Sequence, residues 1–85
     1  MAYRVQINNA ADRNIRKLPR SIQGRIFSSL DTLKADPRPH GAIKMKMYQD
    51  TYRIRMGDYR ILYEVYDDRL LVIVVKVGDR RDVYR

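Results

Sequence analysis

The chain has 85 residues, of which 45% are hydrophobic, and its 18 lysines and arginines outnumber its 10 aspartates and glutamates to give a net charge of +8. This length fits one domain spanning residues 1–85, and the apolar fraction argues against disorder. The excess of positive charge favours a polyanionic partner, most often nucleic acid.

Residue types that are missing or rare exclude several classes of chemistry. The chain has no cysteine, so disulfides and thiolate catalysis are excluded, and His40 is its single histidine, so a zinc site of the usual Cys/His type cannot form. We expect no metal and no cofactor. The longest apolar run, Leu70–Val75, is far shorter than the roughly 20 residues that span a bilayer. We therefore expect a cytoplasmic protein that makes no membrane contact.

The N-terminal part of the chain predicts a strand followed by a helix. Ala2–Ile7 alternates between apolar and polar residues, which is typical of a half-buried strand. Asn8 or Asn9 can then cap a helix over Ala10–Lys17. This helix should end before Pro19, because the residue that precedes a proline is pushed out of the helical region.

A second helix is predicted to begin at Pro19 and to run to about Ala35. Proline is well suited to the first turn of a helix. The apolar residues of this segment recur at helical spacing; they are Ile22, Ile26, Leu30 and Leu33. With so short a break between them, the two helices should form an antiparallel helical hairpin.

The second half of the chain predicts strands. Two prolines and a glycine indicate a loop over Asp36–Gly41, and the alternation of Ile43–Tyr48 predicts a short strand. Thr51–Val65 reads as two strands joined at Gly57-Asp58. After a turn at Asp67-Asp68, Arg69–Val77 is apolar on both faces and so predicts a central strand.

Together these elements predict an α+β domain. An N-terminal strand and a two-helix hairpin precede three or four antiparallel strands, and the helices should cover one face of the sheet. The other face should be exposed to solvent.

Thr51–Val65 carries an unusual charge pattern. A two-residue loop sets Arg55 opposite Arg60, and alternation places Arg53 on the same side, while apolar and tyrosine residues share the other. Like charges directly opposite each other destabilise a sheet. Guanidinium groups match phosphate oxygens, so this arginine face predicts a phosphate site, which Lys44 and Lys46 could join.

The tail adds a second group of candidates. Arg80, Arg81 and Tyr84 directly follow the predicted central strand. Tyr84 could pack at an edge, stack on a base, or lose its proton more easily beside the arginines. No cysteine nucleophile, no serine–histidine pair at a useful spacing and no glycine-rich phosphate loop accompanies them.

The chain resembles the RelE/ParE superfamily of toxins from toxin–antitoxin modules, and its RelE branch most. The resemblance covers nearly the whole chain: the KLP break between the helices, the DPRP loop, the hairpin YRIRMGDYRILYEV and the ending VVKVGDRRDVYR. It implies a small antiparallel sheet with two helices on one face.

The resemblance also implies an activity and partners. RelE-like toxins are ribosome-dependent endoribonucleases that cut the mRNA codon in the A site of the small (30S) subunit, and a cognate antitoxin neutralises them. In this reaction the ribose 2′-hydroxyl attacks the adjacent phosphate without a metal. Two alternatives stay open: a non-catalytic ParE-like toxin that binds DNA gyrase, and a basic RNA-binding module.

Site residues follow from the resemblance position by position. Arg60, Arg80 and Tyr84 match the catalytic set of the family. Arg53 and Arg55 match basic residues of the family and would hold the RNA backbone, and the charge pattern of this chain adds Lys44, Lys46 and Arg81 as RNA-binding candidates. Asp79 stands where many relatives have histidine, and no carboxylate lies near His40-Gly41, where some relatives have a glutamate. The resemblance therefore leaves the general acid and base open.

Overall fold

The computed structural model describes residues 2–79, which form five strands, two α-helices and one short 3₁₀ helix, Asp67–Arg69. The strands are β1 (Arg4–Ile7), β2 (Ile43–Lys44), β3 (Thr51–Met56), β4 (Tyr59–Tyr66) and β5 (Leu71–Asp79), and the helices are α1 (Asn9–Arg16) and α2 (Arg20–Ala35). The strands form one sheet in the order β1-β5-β4-β3-β2. The predicted α+β architecture, with two helices on one face of the sheet, is confirmed.

Local signals place both helices close to their predicted bounds. Asn8 caps α1, because its side-chain oxygen accepts a hydrogen bond from the amide of Ala11 at 2.8 Å. Pro19 directly precedes α2, and its carbonyl accepts hydrogen bonds from the amides of Ile22 and Gln23. Within residues 2–79, neither helix is long and apolar enough to cross a membrane.

The core lies between the helices and one face of the sheet. From the helices it takes Ala11, Ile15, Ile26, Leu30 and Leu33; from the strands it takes Met56, Ile61, Tyr63, Val65, Val72, Val74 and Val77. The helical residues recur three or four positions apart, and the strand residues mostly alternate, so each element turns one side inward. This arrangement leaves the arginine face on the side of the sheet away from the helices.

The sheet is mixed, which the sequence did not predict. The final strand is central, as predicted, because β5 lies between β1 and β4. However, β1 runs parallel to β5, with Val5 opposite Val72 and Ile7 opposite Val74. The helical hairpin supplies the long crossover that a chain needs before it can place a strand parallel to an earlier one.

The predicted strand over residues 43–48 is wrong for most of its length. Only Ile43 and Lys44 pair with β3, opposite Arg53 and Tyr52. The following residues turn, and Asp50 has a positive φ of 62°. Alternating residue types therefore indicated a strand where the chain forms a tight connection into β3.

A β-bulge changes which residues β5 turns inward. The pairing of β5 with β4 shifts so that Tyr63 faces Val74 but Leu62 faces Lys76, leaving Val75 as the extra residue. Val77 therefore lies on the core side and is 2% exposed. With regular alternation from Val74, Lys76 would point into the core instead.

Candidate functional site

The hairpin of β3 and β4 has the predicted register. Arg55 lies opposite Arg60, and Met56 faces Tyr59 across the Gly57-Asp58 turn. Gly57 has a φ of +59°, which glycine adopts without steric cost. The Nε of Arg55 donates a hydrogen bond to the carbonyl oxygen of Gly57 at 3.1 Å. A short local loop therefore fixes the two arginines as cross-strand neighbours.

The three arginines of the arginine face differ in exposure. Arg55 is exposed and Arg53 is half-buried. Arg60 is only 8% exposed, so the prediction that this whole face lies open to solvent is wrong at that position. The residue that pairs with Arg60 on β5 is Gly78. A buried guanidinium is held in place, which suits a group that must stabilise charge at one point.

The bulge brings a further cation to the arginine face. Residues opposite each other share a face, and Leu62 lies opposite both Arg53 and Lys76. Lys76 therefore belongs to the row that contains Arg53, next to the row of Arg55 and Arg60. The sequence interpretation missed it. A lysine at a position that alternation assigns to the core was the signal that a bulge must intervene.

The two predicted lysines do not join the arginine face. Lys44 lies opposite Tyr52, on the face that carries the helices, and Ile43 takes the place beside Arg53. Lys46 lies in the turn after β2. The structure therefore places Lys44 on the opposite face from Arg55 and Arg60, and it places Lys46 outside the strands of the sheet.

The remaining predicted site residues, Arg80, Arg81 and Tyr84, lie outside the described residues. Asp79 is the last residue of β5 and faces Tyr59, whereas Gly78 faces Arg60. The register thus places Asp79 on the helix side of the sheet. A carboxylate there is poorly placed to act on a phosphate held at the arginine face.

A polar network holds the DPRP loop against the sheet. Arg38 binds Asp67 through two hydrogen bonds of 3.0 and 2.8 Å, and it donates another to the hydroxyl of Tyr52 at 2.9 Å. Tyr3 donates to the same carboxylate at 2.6 Å. Hydrogen bonds from Arg38 and then from Tyr3 lower the pKa of Asp67. The sequence interpretation read Asp67 only as a turn residue.

Tyr63 anchors the same loop from the core. Its hydroxyl donates a hydrogen bond to the carbonyl oxygen of Pro37 at 2.8 Å, and its ring stacks against Tyr52 with centroids 6.1 Å apart. Burial raises the pKa of Tyr63, so it stays protonated at neutral pH. The network around Arg38 and Tyr63 is consequently structural: its hydroxyls and its carboxylate are committed to holding the loop.

A cleft of about 290 Å³ opens between the end of α1, the start of β4 and the end of β5. Lys17 and Leu18 form one wall, and Tyr59, Lys76 and Gly78 form the other. Lys76 also belongs to the arginine face, so the cleft adjoins that surface. Among the described residues, no three histidine, aspartate or glutamate side chains are grouped as a metal site.

The chain matches one protein family across nearly its full length. Residues 5–84 match the family described as the ParE toxin of the type II toxin–antitoxin system parDE. Toxin RelG of Mycobacterium tuberculosis is 30% identical over 86 residues, which cover 100% of this chain and 99% of RelG. The mRNA interferase toxin RelE of Escherichia coli K12 is 31% identical over 88 residues, covering 99% and 92%.

The fold matches solved structures of the same kind. In the archaeal RelE–RelB complex from Pyrococcus horikoshii, the similar chain is 30% identical, and the TM-score is 0.84 over 96% of this chain and 99% of that one. The likeness in sequence and in structure thus extends across the helical hairpin, the β3–β4 hairpin and β5.

Proposed function

Since this chain belongs to the ParE toxin family of type II toxin–antitoxin systems, and is a RelE-like toxin within the RelE/ParE superfamily, we propose that it is an mRNA endoribonuclease. Its site of action would be the ribosomal A site, and therefore the cytoplasm. Two observations carry the proposal: a relative named as an mRNA interferase aligns over nearly its full length, and the arginine face of this chain presents clustered cations at one surface.

The proposed reaction is an internal transesterification. The 2′-oxygen of the ribose forms a bond to the adjacent phosphorus while the bond from phosphorus to the 5′-oxygen breaks. A proton leaves the 2′-hydroxyl and a proton reaches the departing 5′-oxygen. The products are a 2′,3′-cyclic phosphate and a 5′-hydroxyl end. The phosphate gains negative charge in the transition state, so fixed cations beside it accelerate the step without a metal.

Arg60 and Arg80 are proposed to stabilise that charge. One preorganised donor aimed at a developing charge is typically worth about 10² to 10³ in rate. The burial of Arg60 supports this role, because a side chain that is 8% exposed loses little further freedom when the phosphate arrives. Arginine stays protonated at all relevant pH values and therefore cannot serve as the general base.

The remaining predicted residues are proposed to bind the RNA or to transfer a proton. Tyr84 would stack on the target base or accept the proton of the 2′-hydroxyl. Arg53 and Arg55 would hold the RNA backbone, and Lys76 extends their row. The other proposed backbone contacts are Arg81, Lys44 and Lys46. Lys44 lies on the other face of the sheet, so it would contact RNA away from the scissile phosphate, and Lys46 lies in the turn after β2.

A cognate antitoxin is the protein partner of such a toxin. The similar chain from Pyrococcus horikoshii was solved as a RelE–RelB complex, and the Escherichia coli RelBE complex matches this fold as well, with a TM-score of 0.81. We propose that an antitoxin covers the basic surface of this chain and so excludes RNA. Ribosomes and mRNA are the proposed targets of the free toxin.

A second candidate function follows from the matched family itself. That family is described by its ParE toxin, and a ParE-like toxin would bind DNA gyrase without cutting RNA. The arginine face favours the nuclease, because a phosphate site explains why like charges lie opposite each other. A basic RNA-binding module without chemistry would share this surface.

The test is an mRNA cleavage assay in a reconstituted translation reaction, with 5′ ends mapped by primer extension. We expect cuts in the A-site codon that disappear with Arg80→Ala and Tyr84→Phe, while Lys34→Ala, an exposed change on α2, leaves them in place. Thermal denaturation of each variant checks that it is folded. Intact mRNA together with inhibited gyrase supercoiling would refute the nuclease in favour of the ParE-like function. Intact mRNA with active gyrase would favour a binding module.

A further inference from the structure

The proposed cleavage needs a proton donor, because the 5′-oxygen that leaves the phosphorus takes up a proton. The arginine face offers guanidinium groups, which keep their protons at all relevant pH values. They can stabilise negative charge, but they are poor sources of a proton. Asp79 lies on the helix side of the sheet, opposite Tyr59. Within residues 2–79, the donor must therefore be another side chain on the face that carries the arginines.

Lys76 is the one lysine in the described strands that the register places on the arginine face. The bulge at Val75 turns it to this side, opposite Leu62, whereas Lys44 lies on the helix side. Arg60 precedes Leu62 by two residues on the same face of β4, so Lys76 and Arg60 are diagonal neighbours. Diagonal neighbours on one face lie about 7 to 8 Å apart, within reach of long side chains. A phosphate bound at Arg60 is therefore within reach of the Lys76 ammonium group.

The sheet leaves a gap beside these two cations. The residue that pairs with Arg60 is Gly78, which follows Lys76 by two residues on the same face of β5 and has no side chain to fill the space. A glycine inside a strand often marks a place where a ligand approaches the backbone closely. Lys76 and Gly78 also line the cleft of about 290 Å³. Arg60, Gly78 and Lys76 therefore border one space that can admit a phosphate group.

We propose that Lys76 is the general acid of the reaction and protonates the departing 5′-oxygen, an inference that rests on the proposed endoribonuclease function. As the bond from phosphorus to the 5′-oxygen breaks, its electron pair passes to that oxygen, which takes a proton from Nζ of Lys76. The 2′-hydroxyl gives its proton to the general base. The base then releases this proton to water and the neutral amine of Lys76 takes one up, so the protein is unchanged after each cleavage.

A lysine suits this step better than the arginines around it. A lysine side chain is protonated at neutral pH, yet it ordinarily loses its proton at a pH about 2 to 3 units below that of an arginine. Lys76 is half-buried, which limits the positions open to its ammonium group. Glu64 also lies on this face, but one row further from Arg60, where it accepts a hydrogen bond from Tyr66 at 2.8 Å. Lys76 is thus the nearer proton donor to a phosphate at Arg60.

The test uses an mRNA in which sulfur replaces the bridging 5′-oxygen at the mapped cut. A hydroxyl that is as weak an acid as water has a pKa of about 15.7, so its oxygen needs a proton in order to leave. A thiol has a pKa of about 8.5, so its sulfur leaves as a thiolate without one. Loss of a general acid therefore slows cleavage of the oxygen mRNA and spares the sulfur mRNA. Each mRNA is placed in ribosomes with excess toxin, and the rate of a single round of cleavage is measured.

Two substitutions at Lys76 and one matched control separate proton donation from charge. Lys76→Ala should slow cleavage of the oxygen mRNA by roughly 10² to 10⁴-fold, the usual contribution of general acid–base catalysis, and should cut the sulfur mRNA at close to the wild-type rate. Lys76→Arg keeps the charge but should still slow the oxygen mRNA by at least about tenfold, because a guanidinium is the weaker acid. Arg53→Ala removes a cation from the same row, on the other side of Leu62, and should slow both mRNAs by the same factor.

Two results would overturn this role of Lys76 while leaving the nuclease in place. Equal slowing of both mRNAs by Lys76→Ala would make the lysine a phosphate contact only. Cleavage of the oxygen mRNA by Lys76→Arg at the wild-type rate would mean that charge alone is enough. Rapid cleavage of the sulfur mRNA by Lys76→Ala also shows that this variant is folded and bound. A wild-type chain that cuts neither mRNA would instead refute the proposed function, and the proton donor with it.

Discussion

Reversing the charge of Arg55 should stabilise the fold and weaken RNA binding together. Arg55 lies opposite Arg60, and its own side chain is exposed. Arg55→Glu replaces a like-charge pair by an opposite-charge pair. Cross-strand pairs of this kind contribute about 0.2 to 1 kcal/mol, and like charges directly opposite destabilise by a comparable amount. The hydrogen bond from Arg55 to Gly57 is lost, but it is exposed and water replaces it.

The net gain should be about 0.5 to 1 kcal/mol, which raises Tm by roughly 2 to 8 °C in a domain of this size. Arg4→Glu is the matched control, because it makes the same change in net charge at an exposed position opposite Leu71. Thermal melts followed by circular dichroism, at low and at high salt, give the comparison. The advantage of Arg55→Glu over the control should shrink as salt screens the pair.

The same variant should lose affinity for single-stranded RNA. If Arg55→Glu melts below Arg4→Glu at low salt, then Arg55 and Arg60 do not oppose folding, and the argument that their placement requires an anion fails. If the variant gains stability yet binds RNA as tightly as the wild type, the arginine face is not where the phosphate binds.

Three further changes test the loop anchor and the bulge. Tyr63→Phe removes the buried hydrogen bond to Pro37 and should cost about 1 to 2 kcal/mol in the free energy of unfolding, measured by urea denaturation. Asp67 has a lowered pKa in the fold because Arg38 binds it. The ionised Asp67 therefore contributes to the stability of the fold above the unfolded pKa of about 3.8, and this contribution is lost as the pH falls through the lower pKa of the folded state. Asp67→Asn should therefore flatten the acid limb of a plot of Tm against pH. Lys76→Ala should reduce the salt slope of single-stranded RNA binding by about one.

Each of these three has an outcome that would contradict its reasoning. Equal stability of Tyr63→Phe and the wild type would mean that the Pro37 carbonyl finds another donor. An acid limb unchanged by Asp67→Asn would show that other carboxylates control acid unfolding. An unchanged salt slope for Lys76→Ala would mean that the bulge does not present this lysine to RNA.

The β3–β4 hairpin could be predicted from the sequence alone, because its determinants are local. A two-residue loop sets the register, and strict alternation separates arginines from apolar residues on either side of it. The helices were predictable for the same reason, since Asn8, Pro19 and the apolar spacing of α2 all act within a few residues. The family resemblance then supplied the candidate roles of Arg60, Arg80 and Tyr84, of which only Arg60 lies within the described residues.

The features that the sequence did not predict depend on contacts between segments that lie far apart in the chain. The pairing of β1 with β5 joins residues more than 60 positions apart, and no local pattern encodes it. The bulge at Val75 depends on how β5 fits against β4, and it alone places Lys76 outside and Val77 inside. The burial of Arg60 and the position of Lys44 on the helix side likewise depend on which residues the sheet places beside them. Residue types determined which chemistry was present in this chain, and the packing of the sheet decided which of those residues share a surface.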